Sequence, residues 1–345
     1  MSKFVRVLRL LTAAVSMWVA VACGILLTVD VASHSWTGNV AAFPVQTRLV
    51  DEDDPLAGDG FYADPTSSAA IAAGRAAPPN AELQKIAATP QAMWLTENNP
   101  VDQVAGAVAA YVGAAAANSS MPVIVLYAIP HRDCGSFTAG GFASGDDYRA
   151  WVRQIAAGVG TARVGVILEP DALTAADCLP VDQQTERTAL LRDAVGVLVQ
   201  NPNAAVYVDG GHSRWLSPDE LASRLRAVGV ERARGFALNT SNFFTTDEEI
   251  GYGEVVSQLL KGAHYVIDTS RNGAGPAPDG TLNWCNPPGR AIGASPTTDT
   301  TGAHADAYLW VKHPGESDGQ CDRGDPPSGV FMPDYASDLA RKAKG

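Results

Sequence analysis

The sequence predicts a parallel α/β barrel built as a single domain, and three observations predict it. Short apolar runs alternate with helical patterns along most of the chain, the order that builds parallel sheets. Four of those runs lead into an aspartate: Val123 to Tyr127 into Arg132-Asp133-Cys134, Val164 to Leu168 into Glu169-Pro170-Asp171, Ala204 to Val208 into Asp209-Gly210-Gly211-His212, and Ala307 to Val311 into Pro314-Gly315-Glu316-Ser317-Asp318-Gly319. Strand C-terminal ends of a barrel converge on one face, and that face hosts the chemistry. The third observation excludes the rival doubly wound sheet. A dinucleotide fold needs a glycine-rich turn after its first strand, whereas Gly158-Val159-Gly160 precedes a strand and reads as a helix C-cap. Walker and His-Glu-x-x-His sequences do not occur.

The elements follow in order. Lys3, Arg6 and Arg9 precede an apolar stretch from Leu10 to Val29, the pattern of an export signal over residues 1–33. The stretch is also long enough to span a bilayer as a signal anchor; Val31-Ala32-Ser33 offers a cleavage site, and a lipid site at Cys23 is the weakest alternative. Residues 34–54 read as a short acidic spacer ending in Asp51-Glu52-Asp53-Asp54, and 55–345 as the globular domain. Val104 to Ala117 is alanine-rich and helical before the strand at Val123. Tyr148 to Val159 carries Trp151, Val152, Ile155 and Ala156 at helical spacing, which puts Trp151 in the core. Asp182 to Gln200 is a further helix. Ser217-Pro218-Asp219-Glu220 has an N-cap serine, proline at the first helical position and acids in the first turn. Strands at Gly235 to Leu238 and His264 to Ile267 flank a helix around Glu248 to Leu260.

Composition excludes several function classes. The 345-residue chain carries a net charge of −12, from 37 acids against 25 bases. No basic stripe exists to meet a phosphate backbone, so nucleic acid is not an expected partner. Setting Cys23 aside, Cys134, Cys178, Cys285 and Cys321 remain. An even number in an exported chain predicts two disulfides with three possible pairings, sequence neighbours pairing in one of them. No CxxC or HxxxH spacing occurs, so zinc is not expected. Carboxylates gathered at one rim, without an organic cofactor, point to acid/base hydrolysis.

The motifs then carry a resemblance. Tyr127-Ala128-Ile129-Pro130-His131-Arg132-Asp133-Cys134-Gly135, Ile167-Leu168-Glu169-Pro170-Asp171, Asp209-Gly210-Gly211-His212-Ser213-Arg214-Trp215 and Trp310-Val311-Lys312-His313-Pro314-Gly315-Glu316-Ser317-Asp318-Gly319 closely resemble glycoside hydrolase family 6. Asn239-Thr240-Ser241-Asn242 and Asn283-Trp284-Cys285-Asn286 are similar to it as well, and all six occur in the family's order from about Pro55 onward. The resemblance implies a distorted, incompletely closed, TIM-like barrel that cuts β-1,4-glucan with inversion, needs no cofactor and acts as a monomer.

It also implies roles. Inversion takes one protonated acid on the leaving oxygen and a base serving a water on the opposite face. Asp171 matches the family's acid, Asp133 the neighbour that raises its pKa and serves the water, Asp318 the candidate base, and Tyr127 the residue that crowds the sugar. Trp94, Trp215 and Trp284 match glucosyl-stacking platforms. Asp209, His212, Asn239, Lys312 and Glu316 match further sugar-side residues, Asp209 with an electrostatic role, and the Thr138 hydroxyl is a candidate for holding the water. Gly210 stands where the family often has alanine, a minor departure. Singly, an aspartate after a strand is more often a helix N-cap; four in these contexts favour a site. About 33 residues separate Trp284 from Asp318, little material for a tunnel, so an open cleft and internal cutting are expected. Without a Pro/Thr/Ser-rich linker or a cellulose-binding module in view, soluble or amorphous glucan is the expected substrate, met outside the cell or at its surface.

Overall fold

The structure is a computed structural model that describes residues 54–280 and 282–343. The expected export segment 1–33 with Cys23, and all but the last residue of the spacer 34–54, lie outside the described residues. Seven strands form one sheet in chain order: β1 (Met93–Leu95), β2 (Val123–Leu126), β3 (Val164–Leu168), β4 (Ala204–Asp209), β5 (Gly235–Leu238), β6 (His264–Asp268) and β7 (Ala305–Leu309). Every neighbouring pair is parallel. The crossovers include α3 (Val101–Ala117), α4 (Gly145–Val159), α5 (Val181–Leu198), α6 (Pro218–Ala227) and α7 (Thr246–Leu259).

Strand residues alternate between two cores because side chains of a strand point to opposite faces. Val125, Tyr127, Ile167, Ala205, Tyr207, Ala237, Val266 and Leu309 fill the barrel interior, together with Leu56. Ile124, Leu126, Val166, Leu168, Val206 and Val208 face the helices and pack with Trp151 and Ile155 of α4 and Leu190 and Leu191 of α5. The helices start where the sequence supplies caps: Ser144 accepts from the Asp147 amide before α4, and Ser217 from the Glu220 amide before α6, where Pro218 holds the first position. Gly160 ends α4 with φ +59°.

The barrel is open between β1 and β7, as the resemblance implies: the ladder runs from β1 to β7, and none among the described residues returns. One backbone bond and several side-chain contacts cross that seam instead. The Ala92 amide donates to the Trp310 carbonyl at 3.1 Å, and the Trp94 indole N–H to the Val311 carbonyl at 2.8 Å. His313 sits 2.6 Å from the Ala92 carbonyl through Nε2 and 2.9 Å from Glu316 through Nδ1. Burial opposes charge on that ring, but the Glu316 carboxylate outweighs it and raises the pKa.

Two departures from the sequence reading concern edges. β7 starts and ends two residues earlier than the apolar run, and Val311, past its end, meets Trp94 instead. β1 and three short helices, α1 (Ser68–Arg75), α2 (Ala81–Ala88) and α8 (Pro333–Arg341), were not legible. The helices cluster with Trp310 and Ile292 to form a separate small core, and none is long enough to show much periodicity.

Candidate active site

The turn after β3 carries Asp171. Glu169 and Asp171 both adopt positive φ, 52° and 66°, which costs a non-glycine residue about 1 kcal/mol or more. The surroundings hold the turn. The Glu169 carboxylate accepts from the Ala128 and Ile129 amides at 3.0 and 3.1 Å. Buried Arg187 donates to the carbonyls of Pro130 and Ala172 at 3.0 and 3.3 Å. The Asp171 amide donates to Asp209 Oδ1 at 3.0 Å, and the Gly211 amide meets the same oxygen at 3.0 Å. Oδ1 of Asp171 is buried and has no hydrogen-bond partner among the described residues. Burial, then the charges of Asp209 and Asp133, push the Asp171 pKa well above the usual carboxylate range. Asp209 is itself pushed up to about 6 by burial.

Asp209 thus sits behind the cleft lining, where it acts on the acid's turn rather than on a sugar. It is fully buried, and it spends Oδ1 on the backbone of the acid's own turn. Asn239, matched to a sugar-side residue, also lies outside the cleft lining. It is fully buried with φ +65°, and its amide bonds the carbonyls of Phe244 and Asp268 and the amide of Phe244. That leaves no group for a sugar; its neighbours Ser241 and Asn242 reach the cleft instead.

Asp133 lies on the loop after β2. Its Oδ2 accepts from both the backbone and the hydroxyl of Thr138, at 3.0 and 2.6 Å. The same hydroxyl lies 2.8 Å from the Tyr127 hydroxyl. Thr138 gives its proton to the carboxylate, so Tyr127 donates to Thr138, and a chain of bonds fixes all three. Tyr127 meets Trp94 edge-on with ring centroids 5.2 Å apart.

Asp318 is the best-paired carboxylate of the group. Arg271 Nη1 meets both its oxygens at 2.9 and 2.8 Å, the Asn286 amide adds a bond of 3.0 Å, and Lys312 Nζ lies 3.6 Å away. Although burial opposes ionisation, Arg271 and Lys312 hold the pKa below the usual range. Arg271, fully buried in the loop after β6, was not singled out from the sequence. No local pattern marks it, since its partner lies 47 residues on.

These groups line one cleft of about 940 Å³. Asp133, Asp171, Asp318 and Tyr127 share it with Trp94, His212, Trp215, Trp284, Lys312 and Glu316. Trp215 and Trp284 are 39% and 38% exposed, uncommon for indoles with a purely structural role, and present faces to solvent. His212 stacks on Phe244 with centroids 4.3 Å apart; burial lowers its pKa to about 4 and keeps it neutral. Phe137 and Phe244, also in the cleft lining, escaped the sequence reading because neither sits in a recognisable motif. Disulfides join Cys134 to Cys178 and Cys285 to Cys321. The first ties the loop of Asp133 to the loop of Asp171; the second ties Trp284's loop to the segment after Asp318.

Comparisons with known proteins give the family. The profile of Glycosyl hydrolases family 6 matches residues 56–343. The chain is 44% identical over 292 residues to Endoglucanase A of Cellulomonas fimi, spanning 84% of this chain and 63% of that protein. It is 44% identical over 294 residues to Endoglucanase A of Thermobispora bispora, spanning 82% of this chain and 62% of that one. The chain thus spans less than two thirds of the length of these relatives. Among solved structures, the endoglucanase Cel6 of Mycobacterium tuberculosis, in complex with a thio-linked cellobioside, superposes with a TM-score of 0.83 at 62% identity, covering 84% of this chain and 99% of that one. An open seven-stranded barrel with this carboxylate rim, matched by the family profile over nearly all its described length, belongs to Glycosyl hydrolases family 6.

Proposed function

We propose that this chain is an inverting endo-β-1,4-glucanase, with Asp171 as general acid. The observation that carries the reading is the buried Asp171 carboxyl, kept protonated by burial and by two neighbouring carboxylates, at the bottom of a cleft with exposed indole faces. A protonated acid there can give its proton to a glycosidic oxygen. The names of the relatives, endoglucanases, support internal cutting.

Asp133 serves the attacking water. Its Oδ2 is occupied by Thr138, which leaves Oδ1 for the water side. For Asp318 the Arg271 pair supports a different role from the base suggested by the motif. An anion whose two oxygens are both engaged by a guanidinium is a weak proton acceptor, and it is better suited to holding negative charge opposite the oxocarbenium-like transition state. Tyr127 crowds the sugar ring beside Trp94, while Trp215 and Trp284 stack on flanking glucosyl units. Lys312 and Glu316 meet hydroxyls, and β-1,4-glucan chains are the partner. The two disulfides support an exported chain, released if residues 1–33 are cleaved and membrane-tethered if they are not, with 55–345 as the catalytic domain, acting as a monomer.

Viscosity of soluble carboxymethylcellulose followed against reducing ends tests the reading. A fast viscosity drop with few new ends supports endo action; many ends with little viscosity loss means exo action; neither sinks the glucanase reading. Asp171→Asn is expected to cut kcat by about 10²–10⁴-fold while cello-oligosaccharide binding, read by tryptophan fluorescence, persists. NMR of fresh product is expected to give the α-anomer first.

A further inference from the structure

We infer that Glu97, through Arg132, is the positioning residue that sets the Asp133 loop in its working conformation. The inference rests on the glucanase reading for its activity test and on geometry alone for its structural one. Glu97 sits just past β1, and its carboxylate grips Arg132 with both oxygens, at 2.6 and 3.1 Å. The Arg132 guanidinium then reaches three parts of the site. Nε donates to the Thr138 carbonyl at 2.9 Å, Nη1 donates to the Tyr127 carbonyl at 2.6 Å, and the plane lies over the Tyr127 ring, 4.4 Å from its centroid. Glu97 Oε1 accepts from the Gly141 amide at 3.0 Å and so holds the far end of the same loop. One ion pair therefore grips the loop at its start, middle and end.

The loop needs such a grip. His131, Asp133 and Cys134 are all left-handed, with φ of 57°, 56° and 49°. Each costs about 1 kcal/mol or more for a side chain with a Cβ, so the conformation persists only where contacts over-determine it. The loop is also built around the pair. A Cβ on Gly140 would lie 2.4 Å from Glu97 Oε1 and 2.5 Å from Arg132 Nη2. Because Thr138 donates twice to Asp133, what Arg132 fixes at Thr138 fixes the Asp133 carboxylate. Glu97 thus acts on the reaction at one remove, although it faces the cleft.

That exposure supplies the rival reading, a direct sugar contact, and kinetics separate the two. Glu97→Gln in the full chain is expected to lower kcat on cellotetraose by about 10–100-fold, the cost of a misplaced reacting group, with KM changed less than about threefold. Amide exchange at Thr138 and Gly141 is expected to quicken by about tenfold or more, with the rest of the barrel unchanged. A raised KM with kcat intact would make Glu97 a sugar ligand and overturn the inference, as would wild-type exchange at Thr138 and Gly141. Arg132→Lys keeps the charge but loses the fork and is expected to repeat the kcat loss; Arg132→Lys with kcat within twofold of wild type would also overturn it. If wild type cleaves no β-1,4-glucan, the glucanase reading fails, and loop exchange in Glu97→Gln still decides the positioning role.

Discussion

Asp171 and Asp209 illustrate how two carboxyls of like sequence context diverge. Both follow strands; Asp209 is fully buried, while Asp171 is half-buried at the cleft with its Oδ1 shut off from solvent. Asp209 recovers part of its solvation from the Asp171 and Gly211 amides and ionises near 6. Asp171 lacks that compensation on Oδ1, so it holds its proton longer. Once Asp209 is ionised, its charge discourages ionisation of Asp171. Removing that charge makes proton loss easier and lowers the Asp171 pKa. Asp209→Asn, which keeps an acceptor for the two amides, should therefore move the alkaline limb of the kcat–pH profile to lower pH. A limb that stays in place would mean that Asp209 does not tune the acid.

At the scale of elements, the two disulfides staple the loops that carry the chemistry onto a rigid sheet. Cys285 and Cys321 are separated by 36 residues and Cys134 and Cys178 by 44, closures worth about 4 kcal/mol each in a loop-entropy account. The paired replacement Cys285→Ser with Cys321→Ser should lower the free energy of unfolding in guanidinium by about that amount. Its effect on activity should exceed its effect on the barrel, because Asn286, next to Cys285, donates to Asp318. Near-UV circular dichroism would report whether the sheet core survives. A double variant as stable as wild type would count against the staple.

For the whole molecule, the buried carboxyls set a pH dependence of stability. Glu169 and Glu249 are pushed up to about 7 and Asp209 to about 6, all chiefly by burial, with Asp171 and Asp268 raised as well. A group whose folded pKa is raised contributes stability below its unfolded value, near 4, and loses it as pH climbs to the folded value. Half-buried His212, lowered to about 4, works the other way between there and 6.5. Five raised acids against one lowered histidine leave a net decline. Urea midpoints should therefore fall as pH rises from about 4.5 to 7. Below pH 4 the trend should reverse as paired Asp318 and Asp306, both held below the usual range, take up protons. A midpoint that rises steadily from pH 4.5 to 7 would refute this account of the buried acids.

The sequence by itself determined the alternation of strands and helices, the core face of α4 around Trp151, the caps at Ser217 and Gly160, and the rim of Asp133, Asp171 and Asp318, since each is written in local periodicity or contiguous motif. Tertiary structure alone decided what those carboxylates can do. Arg271 meets Asp318 from another strand's loop, Glu97 reaches the Asp133 loop from β1, and the hydroxyl chain from Tyr127 through Thr138 closes only after folding. Asn239 reads as a sugar-side residue in the sequence and is a backbone anchor in the fold, and Asp209, read there as an electrostatic neighbour, also holds the acid's turn. A residue's chemistry is local, but its charge state and free valences depend on burial and on partners tens of residues away, which no window of sequence contains.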